Sequence, residues 1–479
     1  MKQSWLYRAE AKGIQSWILA SDRLRELKGG SALVDALPEL ARSLVHRTGG
    51  DVVIAAAGGI EVRFHEQASL ERFAGVWPAV VENHAPGLEL VQAWVADSGL
   101  DPYPELHRRL GAARNRRWPA LPAPGPLSAR SARTGLAAES RDEHDRALLD
   151  AATRAKVRAA AGVGQLDRLA PVGLSFATET AMIGDTYVAV VHADGNAVGS
   201  RIRTLGPDQR RQFSDALSEA TRRAAQTAVR ELARIQQLDD DATVLRCRPI
   251  VVGGDDLTFL VDAVLALPFT EAYLRAFEAE TVAVGNVDGK GPLTACAGLA
   301  FVKTGFPFHA AHELAESLCG GAKSALRAGN RSGLLFHRVT TSSPDTDWES
   351  LRAGELAAVG GRSLAGGPYD LERLDRLRAL ATALRQLPRK AMREWLGLVR
   401  VDAGRAQARW RRAREVMGAA LESPPAAVRD LDKALIALNH APETGWATQD
   451  GGHEITCLAD AQTWLALDPN LADPGKEAR

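Results

Sequence analysis

The chain has 479 residues, 46% of them hydrophobic and 25% charged, and its formal net charge is zero. That length predicts about three domains. The neutral balance argues against nucleic-acid binding by the chain as a whole, so any such surface needs a local excess of basic residues. A charged segment followed by an apolar run is absent from the N-terminus, and no long apolar stretch follows. We therefore expect neither a signal peptide nor a membrane span.

The first 100 residues predict a strand–helix–hairpin–helix–strand module. Its strands and helices are expected at residues 5–11, 31–46, 51–56, 60–64, 67–82 and 88–97. Residues 101–182 predict a connector, because 118–126 is too proline-rich for helix or sheet. A polar helical piece is expected at about 138–162.

Residues 183–342 predict a second module of the same layout. Its elements are expected at residues 186–193, 207–237, 243–252, 256–261, 268–284, 293–302, 307–328 and 334–339. The two hairpins align, Gly58-Gly59 against Gly253-Gly254, which indicates an internal repeat. The predicted fold class is α+β, with two ferredoxin-like βαββαβ palm domains that carry helices on one face of the sheet. The first palm lacks the paired aspartates of the second.

Residues 343–479 predict a C-terminal helical bundle. Its helices are expected at about 370–387, 388–418, 424–440 and 457–466. Between Arg385 and Arg414 there are ten Lys and Arg residues and two acids. Such a segment can neutralise phosphates without reading sequence, so Arg409, Arg411 and Arg412 are candidate contacts to RNA or to another subunit. An ordinary solvated helical face is the alternative.

Gly253-Gly254-Asp255-Asp256 at the second hairpin predicts a metal site. Adjacent carboxylates repel each other, and a bound cation offsets that repulsion. In a βαββαβ sheet the first strand lies beside the hairpin's second strand, so Asp194 at the end of the first strand should meet the pair. Three carboxylates suit Mg²⁺ or Mn²⁺, and two such ions would serve a reaction at phosphate. The alternative is a solvated acidic turn.

Several residues around these acids are candidate nucleotide contacts. The glycines Gly195, Gly253 and Gly254 allow close approach of a ligand, and Asn196 follows at the same strand end. Lys323, on the helix after the fourth strand, could reach triphosphate oxygens as a point charge; its alternative is a surface lysine. Ser31 could belong to a pocket between the modules, or it could cap a helix.

These motifs resemble a known family. The segments around Asp194, the GGDD hairpin and residues 295–300 resemble the palm of GGDEF-type cyclases. Together with residues 13–18 and 24–31, they resemble more closely the large polymerase-cyclase subunit of type III CRISPR effector complexes. The resemblance implies that Asp255, Asp256 and Asp194 are catalytic metal ligands. It also implies conversion of ATP into cyclic oligoadenylate when the complex senses foreign RNA, with guide and target RNA and other effector subunits as partners.

The chain departs from that family at three points. Many relatives begin with an HD nuclease domain, whereas His144-Asp145 is an isolated dipeptide here. Asn196 replaces an acid that relatives often carry. The four cysteines are unpaired and none lies in residues 101–180, so we expect no zinc and a reduced, cytoplasmic setting. His309 and His312, one helical turn apart, are expected in the core or at its rim.

Two other functions stay open from the sequence. A stand-alone defence cyclase making a cyclic dinucleotide would need no RNA, and the missing nuclease domain favours it. A non-catalytic RNA-binding scaffold has no physical need for paired acids, which argues against it. A diguanylate cyclase is disfavoured because such a protein needs only one palm.

Overall fold

A computed structural model of the chain shows a mixed α/β protein with two main sheets and many helices. It describes residues 4–56, 58–97, 101–116, 125–162, 164–236, 243–341, 345–449 and 452–468. Most of the proline-rich segment 118–126 lies outside these residues. Within them, no helix is long and apolar enough to cross a bilayer.

The first module (residues 4–97) is built on a four-stranded sheet. Its elements are β1 (Ser4–Lys12), α1 (Ile14–Ile18), α2 (Leu24–Thr48), β2 (Asp51–Ala56), β3 (Gly59–Phe64), α3 (Gln67–His84) and β4 (Glu89–Asp97). The strand order is β2-β3-β1-β4, and every neighbouring pair is antiparallel. Helix α2 begins seven residues before the predicted start at residue 31.

A close backbone contact explains the early start of α2. Gly29 and Gly30 suggest a break in the sequence because glycine disfavours helix. In the structure, a β-carbon at Gly29 would overlap the backbone carbonyl of Lys156. The glycine therefore serves close packing of a second helix against α2, and this packing offsets its weak helix propensity.

The connector (residues 101–186) contains less helix than expected. Its elements are α4 (Tyr103–Arg114), β5 (Ser140–Arg141), β6 (Leu148–Leu149), α5 (Ala151–Ala159) and β7 (Ser175–Phe176). The helix predicted at 138–162 is wrong before residue 151. The carboxylates of Asp142 and Asp145 accept hydrogen bonds from the backbone N–H of His144 and Ala147, which favours turns over helix. His144-Asp145 thus lies in a hairpin turn.

The second module (residues 187–338) repeats the order of the first. Its elements are β8 (Tyr187–Gly195), α6 (Val198–Arg203), α7 (Pro207–Gln236), β9 (Val244–Leu245), β10 (Cys247–Gly253), β11 (Asp256–Asp262), α8 (Ala266–Glu280), α9 (Val282–Asp288), β12 (Ala295–Lys303), α10 (Phe308–Leu326) and β13 (Gly333–Arg338). The sheet order is β10-β11-β8-β12-β13, continued by a short strand from the C-terminal region. The first strand lies beside the hairpin's second strand, as predicted.

The second sheet is covered by helices on both faces, and not on one face as expected. Alternate residues of β8 point in opposite directions: Ala189 and Val191 belong to the core with α7 and α8, whereas Val188 and Val190 belong to the core with α10. The buried apolar residues on the α10 side of this sheet belong to the same core cluster as those of the first module. The two modules therefore share one apolar core.

The C-terminal region combines helices with a small sheet that was not predicted. Its elements are α11 (Trp348–Ala353), β14 (Ala357–Ala358), β15 (Arg362–Ser363), β16 (Tyr369–Asp370), α12 (Leu371–Leu384), α13 (Arg389–Leu398), α14 (Ala403–Val416), α15 (Ala426–Ala437), β17 (Ala447–Thr448), β18 (Glu454–Ile455) and α16 (Leu458–Leu467). The single helix expected at 388–418 is divided in two, because the Asp402 carboxylate caps α14 by accepting from the backbone N–H of Arg405.

Candidate functional site

Three carboxylates converge at one edge of the second sheet. Asp194 lies near the end of β8 directly opposite Asp256, the first residue of β11. Asp255 precedes Asp256 in the tight turn of the hairpin. One ligand atom from each of the three carboxyl groups lies within 4.8 Å of the other two, and all three residues are half-buried. These acids lie together as predicted, because the register of β8 and β11 pairs Asp194 with Asp256.

Two contacts hold the hairpin turn against the rest of the module. The backbone N–H of Gly195 donates to the carbonyl of Asp255 at 3.3 Å. A β-carbon on Gly195 would lie only 2.9 Å from that of Asp255, so a larger residue would push the turn away. On the other side, the Thr221 hydroxyl of α7 donates to the carbonyl of Gly254 at 2.7 Å.

Thr221 was missed by the sequence argument. It is fully buried, although it is polar and lies among alanines on the apolar face of an amphipathic helix. A buried hydroxyl needs a hydrogen-bond partner, so a threonine in that pattern is the signal that could have revealed it.

The electrostatics of the cluster disfavour three negative charges together. Burial, followed by the charges of Asp194 and Asp256, raises the pKa of Asp255 well above its usual range. Burial and then the charge of Asp194 raise the pKa of Asp256 to about 7. Such a group of hard oxygen donors with too much negative charge fits a divalent cation of the Mg²⁺ or Mn²⁺ type.

Lys323 belongs to this cluster and is not a free surface lysine. Its Nζ, on the last turn of α10, forms an ion pair with the Asp194 carboxylate. It also donates to the backbone carbonyl of Gly195 at 2.9 Å. One positive charge is thereby placed against three carboxyl groups.

Asn196 is engaged in holding the strand end. Its side-chain nitrogen donates to the hydroxyl of Thr294 at 2.9 Å, and its backbone N–H donates to the Thr294 carbonyl at 2.7 Å. The side chain is buried. Asn196 therefore ties the end of β8 to the segment before β12.

Ser31 bridges the two modules. It lies inside α2, so the alternative that it caps a helix is wrong. Its hydroxyl contacts the carbonyl of Leu27 at 3.1 Å and also that of Ile250 on β10. This bond joins α2 to the strand that leads into the acidic hairpin.

A cavity of about 390 Å³ lies between the modules and reaches the acidic cluster. Its walls come from β1, the loop after it, α1 and α2 of the first module, and from β10, Asp256 and Glu316 of the second. The lining residues are Ala11, Gly13, Ile14, Gln15, Ser16, Ile18, Ser31, Val34, Asp35, Pro38, Ile250, Val251, Val252, Gly253, Asp256 and Glu316. Ser31, Gly253 and Asp256 are the predicted site residues among them.

The basic residues of the C-terminal region are partly paired. On α14, Arg409 contacts Glu394 at 2.7 Å and Arg412 contacts Glu415 at 3.3 Å. Arg411 and Arg412 are exposed, and Arg409 is half-buried. The acid partners reduce the net charge that this helix presents, and a role in binding stays a prediction.

The two histidines of α10 lie where they were expected. His312 is buried, and its ring meets that of His192 edge-on, with ring centroids 5.3 Å apart. Burial lowers the pKa of His312 to about 3 and that of His192 to about 4. His309 is exposed at the rim. Both buried rings are therefore neutral core groups at physiological pH.

Comparison with known proteins shows similarity over the module that carries this site. Residues 187–331 match the model of the Cas10/Cmr2 second palm domain. No curated protein matches the chain. Among solved structures, the chain is similar to a Csm1–Csm4 cassette in complex with cA4 (13% identity, TM-score 0.52) and to one in complex with pppApA (13%, 0.51). It is also similar to Csm1 in T. onnurineus (16%, 0.50).

In each of these three comparisons the match covers 91% of this chain and 69% of the other. At such identities the likeness concerns the fold, which extends over both modules and the C-terminal region. The family match coincides with the module that carries the three carboxylates. Residues 187–331 are therefore similar to the second palm domain of Cas10/Cmr2, and the chain as a whole is similar in fold to Csm1.

Proposed function

We propose that this chain is a divalent-metal-dependent nucleotidyl cyclase that converts ATP into cyclic oligoadenylate within a type III CRISPR complex, activated by target RNA. The observation that carries the proposal is the convergence of Asp194, Asp255 and Asp256 at a cavity between two modules. A reaction that joins nucleotides needs a cation site beside a space for a nucleotide, and the three carboxylates and the adjoining cavity are the candidates for these two parts.

The domain division follows from the repeated strand order. Residues 1–100 are a degenerate ferredoxin-like palm, 101–182 the connector, 183–342 the catalytic palm and 343–479 the helical domain. Both modules have the order second-third-first-fourth strand, which supports this division. The first palm has no paired aspartates at its hairpin, so its role is to complete the pocket.

The three aspartates hold the metal in this proposal. Two Mg²⁺ or Mn²⁺ ions, when bound there, supply positive charge that activates a hydroxyl and neutralises a leaving pyrophosphate. The 3′-oxygen of one ATP forms a bond to the α-phosphorus of another as the bond to the bridging oxygen breaks. Pyrophosphate leaves, and the hydroxyl proton passes to water. The protein contributes chiefly position and charge.

Lys323 and the small residues of the site contact the nucleotide. Asp194 would hold a metal cation whose charge replaces that of Lys323, and the Lys323 ammonium would then contact triphosphate oxygens as a point charge. Gly195, Gly253 and Gly254 leave the backbone open to close approach, while Asn196 and Ser31 fix the two walls. The similar Csm1–Csm4 cassettes that contain cA4 and pppApA support nucleotide binding by this fold.

The partners are effector subunits and RNA. Similarity to Csm1 from Csm1–Csm4 cassettes supports a Csm4-like neighbour for this chain. The exposed guanidinium groups of Arg411 and Arg412, with Arg409 beside them, are the proposed contact to RNA or to a further subunit.

The test is product formation from ATP with Mn²⁺, analysed by mass spectrometry, for the chain alone and for its copurified complex with target RNA. We expect cyclic product only from the complex with RNA, and none when Asp255→Asn and Asp256→Asn are combined. The exposed Asp185→Asn is the matched control and should keep full activity. Undiminished product from the double variant would refute the assignment. Product from the chain alone would replace the RNA-activated cyclase by a stand-alone one.

A further inference from the structure

The carboxylate of Asp167 contacts basic side chains of both modules. Asp167 lies in the connector, in a single turn of 3-10 helix (Leu166–Leu169). Its Oδ1 accepts a hydrogen bond from Nη2 of Arg248 on β10 at 2.6 Å, and its Oδ2 lies 3.5 Å from Nζ of Lys28 on α2. One carboxylate of the connector therefore joins a helix of the first module to a strand of the second.

The contact between Asp167 and Arg248 fixes the connector to β10. The Arg248 side chain is only 4% exposed, and its guanidinium lies 5.7 Å from the centre of the Phe176 ring on β7. Removing one partner of such a buried pair leaves an uncompensated charge, which is strongly unfavourable. This contact is therefore the firmer of the two.

The contact between Asp167 and Lys28 is weaker and joins α2 to the same carboxylate. Both side chains are about one-fifth exposed, so water screens the pair in part. One turn further along α2, the Ser31 hydroxyl contacts the carbonyl of Ile250 on β10. Lys28 and Ser31 therefore hold the same stretch of α2 against β10, one through the connector and one directly.

These contacts lie at the end of β10 that is remote from the acidic hairpin. Helix α2 and strand β10 each supply part of the cavity wall, including Ser31 and Ile250. From Arg248 to Gly253, where β10 ends at the hairpin, the strand extends over roughly 16 Å. The separation of the two walls can therefore change at Asp167 without any direct contact to the three carboxylates.

We propose that Asp167 is a positioning residue, which sets the separation of α2 and β10 by holding Lys28 and Arg248 together. Asp167 is not among the residues that line the cavity, so it acts through these two basic side chains. The consequence for ATP binding rests on the proposed function, whereas the separation of the modules is a property of the chain itself. The two are therefore measured separately.

Spin labels measure the separation without any nucleotide. The four native cysteines are buried, so labels are attached to cysteines introduced at the exposed residues Gly75 on α3 and Arg230 on α7. We expect a narrow distribution of distances in the otherwise unchanged chain. Lys28→Met should shift or broaden it by about 1–2 Å, as is typical of small helix movements. Lys28→Arg keeps the charge and should restore the narrow distribution.

Titration calorimetry then measures the binding of ATP with Ca²⁺ and, separately, of Mn²⁺ alone. Lys28→Met should weaken ATP binding several-fold, because ATP must then also fix the separation of the walls. Mn²⁺ affinity should stay unchanged, since pairing within the second module holds the three carboxylates. Asp167→Asn should have a larger effect in the same direction. The effects of the two substitutions should not add, because both remove the same contact.

Two control variants separate positioning from stability. Lys390→Met removes an ion pair to Glu394 that lies within one helix, and it should change neither the distances nor ATP binding. Asp432→Asn removes the partner of Arg414, whose side chain is 11% exposed, in the C-terminal region. It should lower the melting temperature as Asp167→Asn does, but it should leave the distances between the modules unchanged.

The contrary outcomes are distinct. An unchanged distance distribution in Lys28→Met overturns the positioning role, and this variant decides the matter if Asp167→Asn does not fold. Equal weakening of ATP and Mn²⁺ binding also overturns it, because Asp167 would then support the second module as a whole. Failure of the wild type to bind ATP refutes the proposed function, and the spin-label distances then decide the role of Asp167 alone.

Discussion

Lys323 and Asp194 form an ion pair at the edge of the second sheet, where the lysine ammonium also donates to the carbonyl of Gly195. The lysine ammonium therefore contacts the same Asp194 carboxylate that is proposed to bind a metal ion. Both side chains are about one-quarter to one-third exposed, so the pair is partly screened by water. Lysine and a divalent cation can each offset the same negative charge.

Lys323→Met should destabilise the metal-free protein and have little effect on the metal-bound protein. Without the ammonium, the carboxyl groups lose their nearest counter-charge, which should lower the free energy of unfolding by about 1 kcal/mol. Saturating Mn²⁺ should reduce that difference, because the ion restores the charge balance. Denaturant unfolding with EDTA and with Mn²⁺ measures both values. The exposed Lys303→Met is the control. If Lys323→Met loses the same free energy of unfolding in EDTA and in Mn²⁺, the lysine and the metal ion do not offset the same negative charge.

In the metal-free protein, the stability contributed by the Asp255 and Asp256 carboxyl groups should fall as pH rises from about 5 to 8. The pKa values of Asp255 and Asp256 are raised in the folded state, chiefly by burial, to about 8 and about 7. Between the unfolded value near 4 and these values, the folded state binds more protons, so its stability decreases with rising pH. Combining Asp255→Asn with Asp256→Asn should remove this contribution, so the double variant should gain stability relative to wild type as pH rises. Urea unfolding in EDTA across this range checks it, and an identical slope in the double variant would contradict the prediction.

Thr221→Val should loosen the acidic hairpin without removing any carboxylate. The variant keeps the shape of the side chain but leaves the Gly254 carbonyl without its hydroxyl partner, which costs about 1 kcal/mol of stability. We also expect several-fold weaker Mn²⁺ binding in calorimetry, because the turn that carries Asp255 is less fixed.

Thr270→Val is the matched control for that experiment. Thr270 is also a fully buried helical threonine, but its hydroxyl donates to Ala266 within its own helix. It should lower stability by a similar amount and leave Mn²⁺ affinity unchanged. Equal Mn²⁺ affinities for both variants would show that Thr221 has no part in shaping the site.

Charge reversal on α14 should weaken RNA association in a salt-dependent way. In Arg411→Glu combined with Arg412→Glu, two exposed positive charges are lost, and the slope of log affinity against log salt should fall by about one for each lost phosphate contact. Filter binding of the copurified complex at several salt concentrations measures the slope. Exposed Arg230→Glu on α7 is the control. An unaltered slope would mean that these residues form an ordinary solvated face.

Much of the fold could be predicted because its strands are apolar and punctuated by glycine. The predicted strands at 186–193 and 256–261 match β8 and β11 closely, and the one predicted at 243–252 is divided into β9 and β10. What failed depended on tertiary contacts or on polar side chains. The start of α2 depends on packing at Gly29, and the turn at 142–147 depends on two aspartates that compete with helix.

The residues of the site also include some that the sequence predicts and some that it does not. Asp194, Asp255 and Asp256 could be predicted because strand order follows from the βαββαβ pattern, and that order brings them together. Thr221 could not, because it matters through a partner distant in sequence, the Gly254 carbonyl on the hairpin. The spacing of residues along the chain does not show which distant groups will form a contact.

The contact between Gly29 and Lys156 has a consequence for how this protein can vary. The Lys156 ammonium also binds the carbonyl groups of Trp17 and Ile18 and lies 4.3 Å from the centre of the Trp17 ring. Thus α5 fixes both α2 and the end of α1, the two helices that line the cavity. A side chain at 29 would push α5 away from α2 and so disturb the support of both helices. Because the clash is with backbone atoms, a side chain at 29 should be disfavoured whatever residue stands at 156.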